Sequence, residues 1–217
     1  MSDIVKRSAG KGIEIVNISH GEWASVSGGG IEIQISAKLH GVAYLALDCS
    51  ASMVGEKSAQ ARRGALDFAR GARAKGYAVG LIAFSDEAAH LCEPQSDIAR
   101  LSACLETVQT GSATNMAEAL SVALKRLTGT TGNKAVVLVT DGQPNRGEPD
   151  PVEATLRAAR ALKDAGIEII TIGTDDADAE FLKRIATRSD LSVMVERDEL
   201  GSGISGATVM LPEGPRQ

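Results

Sequence analysis

Short apolar runs alternate with amphipathic helical patterns along most of the chain. The runs are nearly continuous in apolar residues, which is typical of strands buried on both faces of a sheet. They lie at Val42–Leu47, Tyr77–Phe84, Lys134–Thr140, Ile167–Gly173 and Leu191–Val195. Helical spacing of apolar residues is found in Glu56–Lys75, Ile98–Val108, Asn115–Leu127, Pro151–Ala165 and Asp178–Thr187. This alternation predicts an α/β fold, with a doubly wound, mostly parallel sheet covered by helices on both faces.

Two segments depart from this alternation. Ala88–Cys92 follows Phe84 too closely for a helical crossover, so we predict one short antiparallel edge strand there. Apolar residues at near-helical spacing predict a final helix over Asp198–Leu211. Three glycines in that segment disfavour a helix, so we expect it to depend on docking and to be the softest regular element.

The first 40 residues have a different pattern. Isoleucines are interleaved with polar residues in Ile13–Ile18 and Ile31–Ile35, which indicates strands with one solvent-facing side. Gly28-Gly29-Gly30 indicates a turn. We predict a small antiparallel β-meander, with Glu22–Val26 as its middle strand, packed on the main domain. The predicted organisation is an N-terminal extension over residues 1–40, an α/β domain over 41–211 and a tail over 212–217.

Composition narrows the class of protein. The chain has 217 residues, 43% of them hydrophobic, which suits one globular domain with a full core and a modest extension. A net charge of −5 counts against direct contact with nucleic acid, because proteins that bind it normally carry a basic surface. No segment approaches the roughly 20 apolar residues that a membrane span needs, so we expect no such span.

The cysteines and the N-terminus bear on the compartment. Cys49, Cys92 and Cys104 are an odd number and lack the spacing of a metal site. The segment Met1–Arg7 has no apolar signal core. We therefore expect reduced thiols in a cytoplasmic protein.

Five side chains with oxygen ligands gather at predicted strand ends. Asp48, Ser50 and Ser52 directly follow the first long apolar run, and Asp141 follows a later one. Thr114 precedes a helical pattern. In an open parallel sheet, ligands bind beyond the carboxyl ends of the strands, so these side chains are expected to meet there. Two neighbouring carboxylates repel each other without a cation, and hard oxygen ligands suit Mg²⁺.

This constellation resembles the metal-ion-dependent adhesion site, or MIDAS, of von Willebrand factor type A (vWA) domains. The pattern of that site is D-x-S-x-S, then a Thr, then an Asp. The flanking segments are similar as well: Leu-Asp-Cys-Ser-Ala-Ser-Met, Ala-Thr-Asn-Met-Ala-Glu-Ala-Leu and Leu-Val-Thr-Asp-Gly. The resemblance extends from about Val42 to Met210 and implies the Rossmann-like vWA fold. The N-terminal meander lies outside the minimal family domain.

The resemblance also implies roles for the five residues. Ser50, Ser52 and Thr114 would contact Mg²⁺, or Mn²⁺ in its place, while Asp48 and Asp141 act mainly through bound water. Neutral hydroxyl ligands leave most of the ion's charge uncompensated, so an Asp or Glu of a protein partner can complete its coordination. The implied protein is not an enzyme but a metal-dependent protein-interaction module, an adaptor in a larger intracellular assembly.

In relatives that change affinity, the last helix shifts as the metal loops rearrange. That behaviour suggests two docked positions for the final helix here, coupled to occupancy of the metal site. The simpler alternative is fraying of this helix next to the C-terminal tail.

Several of these residues have ordinary alternative roles. Ser50 and Ser52 could cap the following helix, and Asp141 could belong to a simple turn. The spacing of Asn115 and Glu118 fits a capping box. The acidic segment 175–178 could hold a second cation or cap the helix near Asp178, and the basic residues of the first helix could bind an acidic partner or form a solvated face. Lys57 and Arg146 could add positive potential beside the metal site.

Two other functions stay open. A Mg²⁺-dependent phosphohydrolase of the haloacid-dehalogenase type needs a second carboxylate two residues after the strand-end Asp, where this chain has Ser50. The chain also lacks a phosphate-binding G-x-x-x-x-G-K-[ST] loop. A ribonucleoprotein component without direct RNA contact is the other alternative. Cys49 could be a nucleophile, but no histidine lies in a recognisable dyad motif, so a core role for its side chain is favoured.

Overall fold

The computed structural model describes residues 23–28 and 31–36 by their backbone, and residues 39–213 in full. The chain forms two compact units, Met1–Lys38 and Leu39–Gln217. In the first unit, β1 (Trp23–Gly28) pairs antiparallel with β2 (Ile31–Ser36). The strand predicted over Ile13–Ile18 lies outside the described residues, and the packing of the extension on the main domain stays a prediction.

A six-stranded sheet forms the centre of the second unit. Its strands are β3 (Gly41–Asp48), β4 (Tyr77–Phe84), β5 (Ala88–Gln95), β6 (Asn133–Thr140), β7 (Glu168–Gly173) and β8 (Ser192–Met194). They lie in the order β5-β4-β3-β6-β7-β8. Every neighbouring pair is parallel except β4 and β5, which run antiparallel at one edge. The predicted fold class is confirmed, including its antiparallel edge strand.

Within residues 39–213, six α-helices connect and cover the strands. They are α1 (Glu56–Ala74), α2 (Ile98–Glu106), α3 (Met116–Leu127), α4 (Pro151–Asp164), α5 (Ala179–Ile185) and α6 (Leu200–Gly206). The side chains of Asp97, Asn115, Asp150 and Asp178 each accept hydrogen bonds from first-turn backbone N–H groups, so local capping sets where α2 to α5 begin. The predicted helix over Asp198–Leu211 is instead three short pieces, because 3₁₀ turns at Arg197–Glu199 and Ala207–Met210 flank α6.

The sheet has a hydrophobic core on each face. Leu45 and Val137 belong to the cluster that packs against α1 and α6, and their neighbours Tyr44 and Val136 belong to the cluster that packs against α3 to α5. Successive side chains of one strand point to opposite faces. Both faces are therefore buried, which explains why the strands are continuous apolar runs in the sequence.

One glycine of each helix allows α6 to pack closely against α1. A Cβ atom at Gly64 would lie 2.6 Å from the backbone oxygen of Gly201, and one at Gly201 would lie 3.1 Å from the backbone oxygen of Gln60. The backbone N–H of Gly201 also donates a hydrogen bond of 3.2 Å to the side chain of Gln60. The two helices thus approach backbone to backbone. Gly201 lowers the helix propensity of α6, but its lack of a side chain allows this close approach.

Candidate metal centre

The candidate site lies where the strand order of the sheet changes direction. Going along the chain from β3, the sheet grows first to one side, through β4, and later to the other side, through β6. Asp48 is the last residue of β3, and Asp141 directly follows β6, the neighbour of β3. Both carboxylates are almost completely buried. The ends of two adjacent parallel strands thus bring them to the same edge, as the sequence predicts.

Hydrogen bonds join four of the five candidate residues. Asp48 accepts one from the backbone N–H of Ser50, at 2.9 Å, and one from the hydroxyl of Thr140, at 2.6 Å. The hydroxyl oxygens of Ser50 and Ser52 are 3.1 Å apart, and Ser52 donates to Asp141 at 2.8 Å. Ser50, Ser52 and the two aspartates therefore form one connected cluster of oxygen atoms.

The two serines do not cap a helix. Ser50 precedes the 3₁₀ turn Ala51–Met53 but makes no side-chain cap hydrogen bond, and Gly55 is the residue at the start of α1. The capping alternative for these serines is therefore wrong. Asp141 likewise does more than form a turn, since its carboxylate accepts hydrogen bonds from Ser52 and Lys57.

Thr114 belongs to a second loop, which is held beside the first. The N–H of Gly111 donates to the backbone oxygen of Cys49 at 3.0 Å. Thr114 donates its N–H to the side-chain oxygen of Asn145, at 2.8 Å, and accepts from the N–H of Asn145, at 3.2 Å. Asn145 positions the threonine from the loop that follows Asp141. Sequence reasoning missed this role, and the proximity of Asn145 to Asp141 in the chain is the only local signal for it.

Lys57 lies within the site, closer than the sequence suggested. Its ammonium group bonds to one oxygen of Asp141 and, at 2.8 Å, to one oxygen of Asp175. The lysine side chain is only 9% exposed. Burial opposes its charge, but the hydrogen bonds and charges of the two carboxylates outweigh burial and raise the pKa of Lys57 above its ordinary value. Lys57 is therefore a buried cation in contact with a candidate ligand residue.

Asp175 extends this ion-pair chain to Arg197. The guanidinium of Arg197 contacts both carboxylate oxygens of Asp175, at 3.0 to 3.2 Å. Hydrogen bonds from Lys57 and then Arg197 lower the pKa of Asp175. The backbone of Asp175 has a φ of 51°, which is rare outside glycine. Asp178 caps α5, as the capping alternative predicts. Asp175 instead bonds to Lys57 and Arg197.

Burial controls the protonation of the other groups at this edge. It raises the pKa of Asp48, although the bonds from Thr140 and Ser50 act in the opposite direction. Burial also raises the pKa of the Cys49 thiol to about 12, which disfavours the thiolate that a nucleophile needs. Arg146 lies in the loop after Asp141, and its guanidinium is 3.5 Å from the carboxylate of Asp86.

The oxygen positions suit a small divalent cation. Mg²⁺ binds octahedrally at about 2.1 Å, so neighbouring ligand oxygens are about 3.0 Å apart. The hydroxyl oxygens of Ser50 and Ser52, both proposed direct ligands, are 3.1 Å apart, which is close to that spacing. Within residues 39–213, no group of three or more His, Cys, Asp and Glu side chains is placed to hold a metal. Hydroxyl groups would therefore have to supply ligands, as the donor set allows.

Residues 44–202 match the von Willebrand factor type A domain family. The chain belongs to this family. No curated protein sequence matches this vWA domain. Its fold is similar to that of the vWF domain of the type V pili tip protein Mfa5 from Porphyromonas gingivalis, with a TM-score of 0.67 and 14% identity, covering 82% of this chain and 98% of that one.

Two longer proteins contain a similar domain. Proximal thread matrix protein 1 from the mussel byssus has a TM-score of 0.65 and 18% identity, covering 80% of this chain and 46% of that one. It has also been solved with a zinc-occupied MIDAS motif. The pilus adhesin SpaC from Lactobacillus rhamnosus GG has a TM-score of 0.67 and 17% identity, covering 78% of this chain and 30% of that one. Our vWA domain thus spans less than half of either protein.

Proposed function

We propose that this vWA domain is a metal-dependent protein-interaction module whose MIDAS consists of Asp48, Ser50, Ser52, Thr114 and Asp141. The observation that carries the proposal is the connected cluster of carboxylate and hydroxyl oxygens at the switch point of the sheet. Membership of the vWA family supports it, as does the zinc-occupied MIDAS of the mussel protein.

The residues of the site divide into two roles. Ser50, Ser52 and Thr114 would hold Mg²⁺ or Mn²⁺ through their hydroxyls. Asp48 and Asp141 are fixed by their own hydrogen bonds and would act mainly through water. The bound ion would supply a positive centre that attracts a carboxylate. The neutral hydroxyls leave this charge available to an Asp or Glu of a protein partner.

A role in binding agrees with the proteins of similar fold, whose names describe a pilus tip protein, a pilus adhesin and a matrix protein. An intracellular adaptor in the cytoplasm stays our prediction for this chain. In the part of the chain that the structure describes, no helix is long and apolar enough to cross a membrane.

The structure offers little for the phosphohydrolase alternative. Such an enzyme would use the strand-end carboxylate of Asp48 as its nucleophile. Both oxygens of Asp48 already accept hydrogen bonds within the fold, and the position two residues later is a serine. The ribonucleoprotein alternative has no supporting observation among the described residues.

A displayed peptide library selected on the domain in Mg²⁺ would test the proposal. We expect the captured peptides to be enriched in Asp or Glu and to be released by chelator. Thr114→Ala should abolish capture while the domain stays folded. Thr128→Ala removes an exposed hydroxyl after α3 and is the matched control. Peptides that stay bound in chelator, or that lack acidic residues, would contradict a metal-mediated contact.

A further inference from the structure

Lys57 places a permanent positive charge inside the proposed metal site. The lysine belongs to the first turn of α1, and its side chain points back to Asp141 and Asp175 at the carboxyl edge of the sheet. Other basic residues of α1 behave differently. Arg63 and Arg70, for example, pair with acidic side chains of the same helix at the surface, where both partners are more than half exposed.

Each carboxylate oxygen of Asp141 already has a partner within the fold. One of its carboxylate oxygens accepts a hydrogen bond from Ser52, and the other contacts the ammonium of Lys57. The negative charge of Asp141, which would otherwise attract a divalent ion strongly, is therefore largely compensated within the fold. This effect is substantial because the pair is almost completely buried, and charges there are poorly screened by water.

Lys57 changes the net charge of the side-chain cluster by one unit. Asp48, Asp141 and Asp175 are opposed by Lys57 and Arg197, so the cluster carries one net negative charge. A bound divalent ion changes this to one net positive charge. Without Lys57, the same loaded cluster would be neutral and would attract an acidic ligand less strongly.

We propose that Lys57 sets the charge of the metal site, so that it weakens the binding of the divalent ion and strengthens the binding of a carboxylate to the loaded site. The second half of this inference rests on the proposed function, whereas the first half concerns the ion alone. A residue that only holds Asp141 in place would have the opposite effect on the ion, because its loss would disorder a ligand and weaken metal binding.

The test compares Mn²⁺ affinity in the wild type and in Lys57→Met, which removes the charged ammonium and keeps an unbranched side chain one heavy atom shorter. We expect Lys57→Met to bind Mn²⁺ at least about tenfold more tightly, as measured by electron paramagnetic resonance of the free ion. Arg63→Met removes one exposed charge from the same helix and should change the affinity less than about twofold. Unchanged or weaker Mn²⁺ binding by Lys57→Met would overturn the proposal.

Acetate is the probe for the second half. The Mn²⁺-loaded wild type should bind acetate more tightly than the Mn²⁺-loaded Lys57→Met protein, as measured by the change in water proton relaxation. Equal acetate affinity would overturn this half. If only the variant binds Mn²⁺, then Lys57 replaces the ion in the wild type and the proposed function fails, although the effect on the ion is supported. If neither protein binds Mn²⁺, both proposals fail.

Removal of Lys57 leaves Asp141 and Asp175 without their shared cation, and this can impair folding. The double variant Lys57→Met/Asp175→Asn also removes the negative charge of Asp175, so that only Asp141 loses its cation, and it serves as the second test. It should also bind Mn²⁺ more tightly than the Asp175→Asn single variant. An affinity equal to or lower than that of the single variant would overturn the proposal.

Discussion

Alanine substitutions at Gly64 and Gly206 should have opposite effects on stability. A Cβ atom at Gly64 would lie 2.6 Å from the backbone oxygen of Gly201, 2.9 Å from its Cα and 3.0 Å from the Cβ of Ile204. Ordinary contact begins at 3.4 Å, so α6 would have to move away by about 0.8 Å. The backbone of α6 cannot yield as a flexible side chain could. At Gly206, by contrast, an added Cβ atom meets nothing within 4 Å.

The magnitudes follow from these two environments. Overpacking typically costs about 1–3 kcal/mol, and alanine is favoured over glycine in a helix by about 1 kcal/mol. The difference between these terms predicts that Gly64→Ala lowers the free energy of unfolding by up to about 2 kcal/mol. The backbone of Gly206 is helical, with a φ of −62°, so Gly206→Ala should raise the free energy of unfolding by up to about 1 kcal/mol.

Urea denaturation followed by circular dichroism measures both changes. For a domain of this size, 1 kcal/mol corresponds to about 2–4 °C in melting temperature, so thermal scans should separate the two variants by several degrees. The pair controls for helix propensity, because both substitutions add the same methyl group to a helical position. A Gly64→Ala protein as stable as Gly206→Ala would refute the close packing of α1 on α6.

Three further predictions concern other parts of the fold. Among the residues that the structure describes, the hydroxyl of Thr174 is buried without a hydrogen-bond partner. Thr174→Val should therefore raise the free energy of unfolding by about 1 kcal/mol, which a higher urea midpoint would show. Burial, followed by the charge of Arg126, lowers the pKa of His90, which also faces Tyr44 and Glu93. The contribution of neutral His90 to the free energy of unfolding should thus be fully present above its ordinary pKa of 6.5 and be lost as the pH falls through the lowered pKa. The pH dependence of stability from this group should disappear in His90→Gln. If α6 has two docked positions, its hydrogen exchange should change when Mg²⁺ and an acidic ligand are added, whereas identical protection would leave only fraying.

Local patterns in the sequence predict most of the fold. The strands are buried on both faces, so their apolar runs are unbroken, and Tyr77–Phe84 is predicted with the bounds that the structure has. Asp and Asn residues mark the starts of α2 to α5 because they bond to the first free N–H groups of a helix. Asp48 and Asp141 are predicted at one edge because both end strands of one parallel sheet, whereas the structure shows that these two strands are neighbours.

The missing parts depend on contacts between distant residues. Lys57 meets Asp141 and Asp175, which are 84 and 118 positions away, and nothing in the first turn of α1 distinguishes this lysine from a solvated one. The bond between Asn145 and Thr114 joins loops 31 positions apart, and only the closeness of Asn145 to Asp141 in the chain points to it. Gly201 lowers local helix propensity, so its role in close packing becomes visible only once α1 is placed beside it.

The metal site is the central claim, and thermal unfolding with and without Mg²⁺ tests it most directly. If the ion binds at the proposed site, Mg²⁺ at 100 times its dissociation constant should stabilise the wild type by about 2.7 kcal/mol. Asp48→Ala should abolish that shift, whereas Asp67→Ala, which removes an exposed carboxylate from α1, should retain it. A wild type without a Mg²⁺-dependent shift, or an Asp48→Ala protein with an unchanged one, would contradict the account.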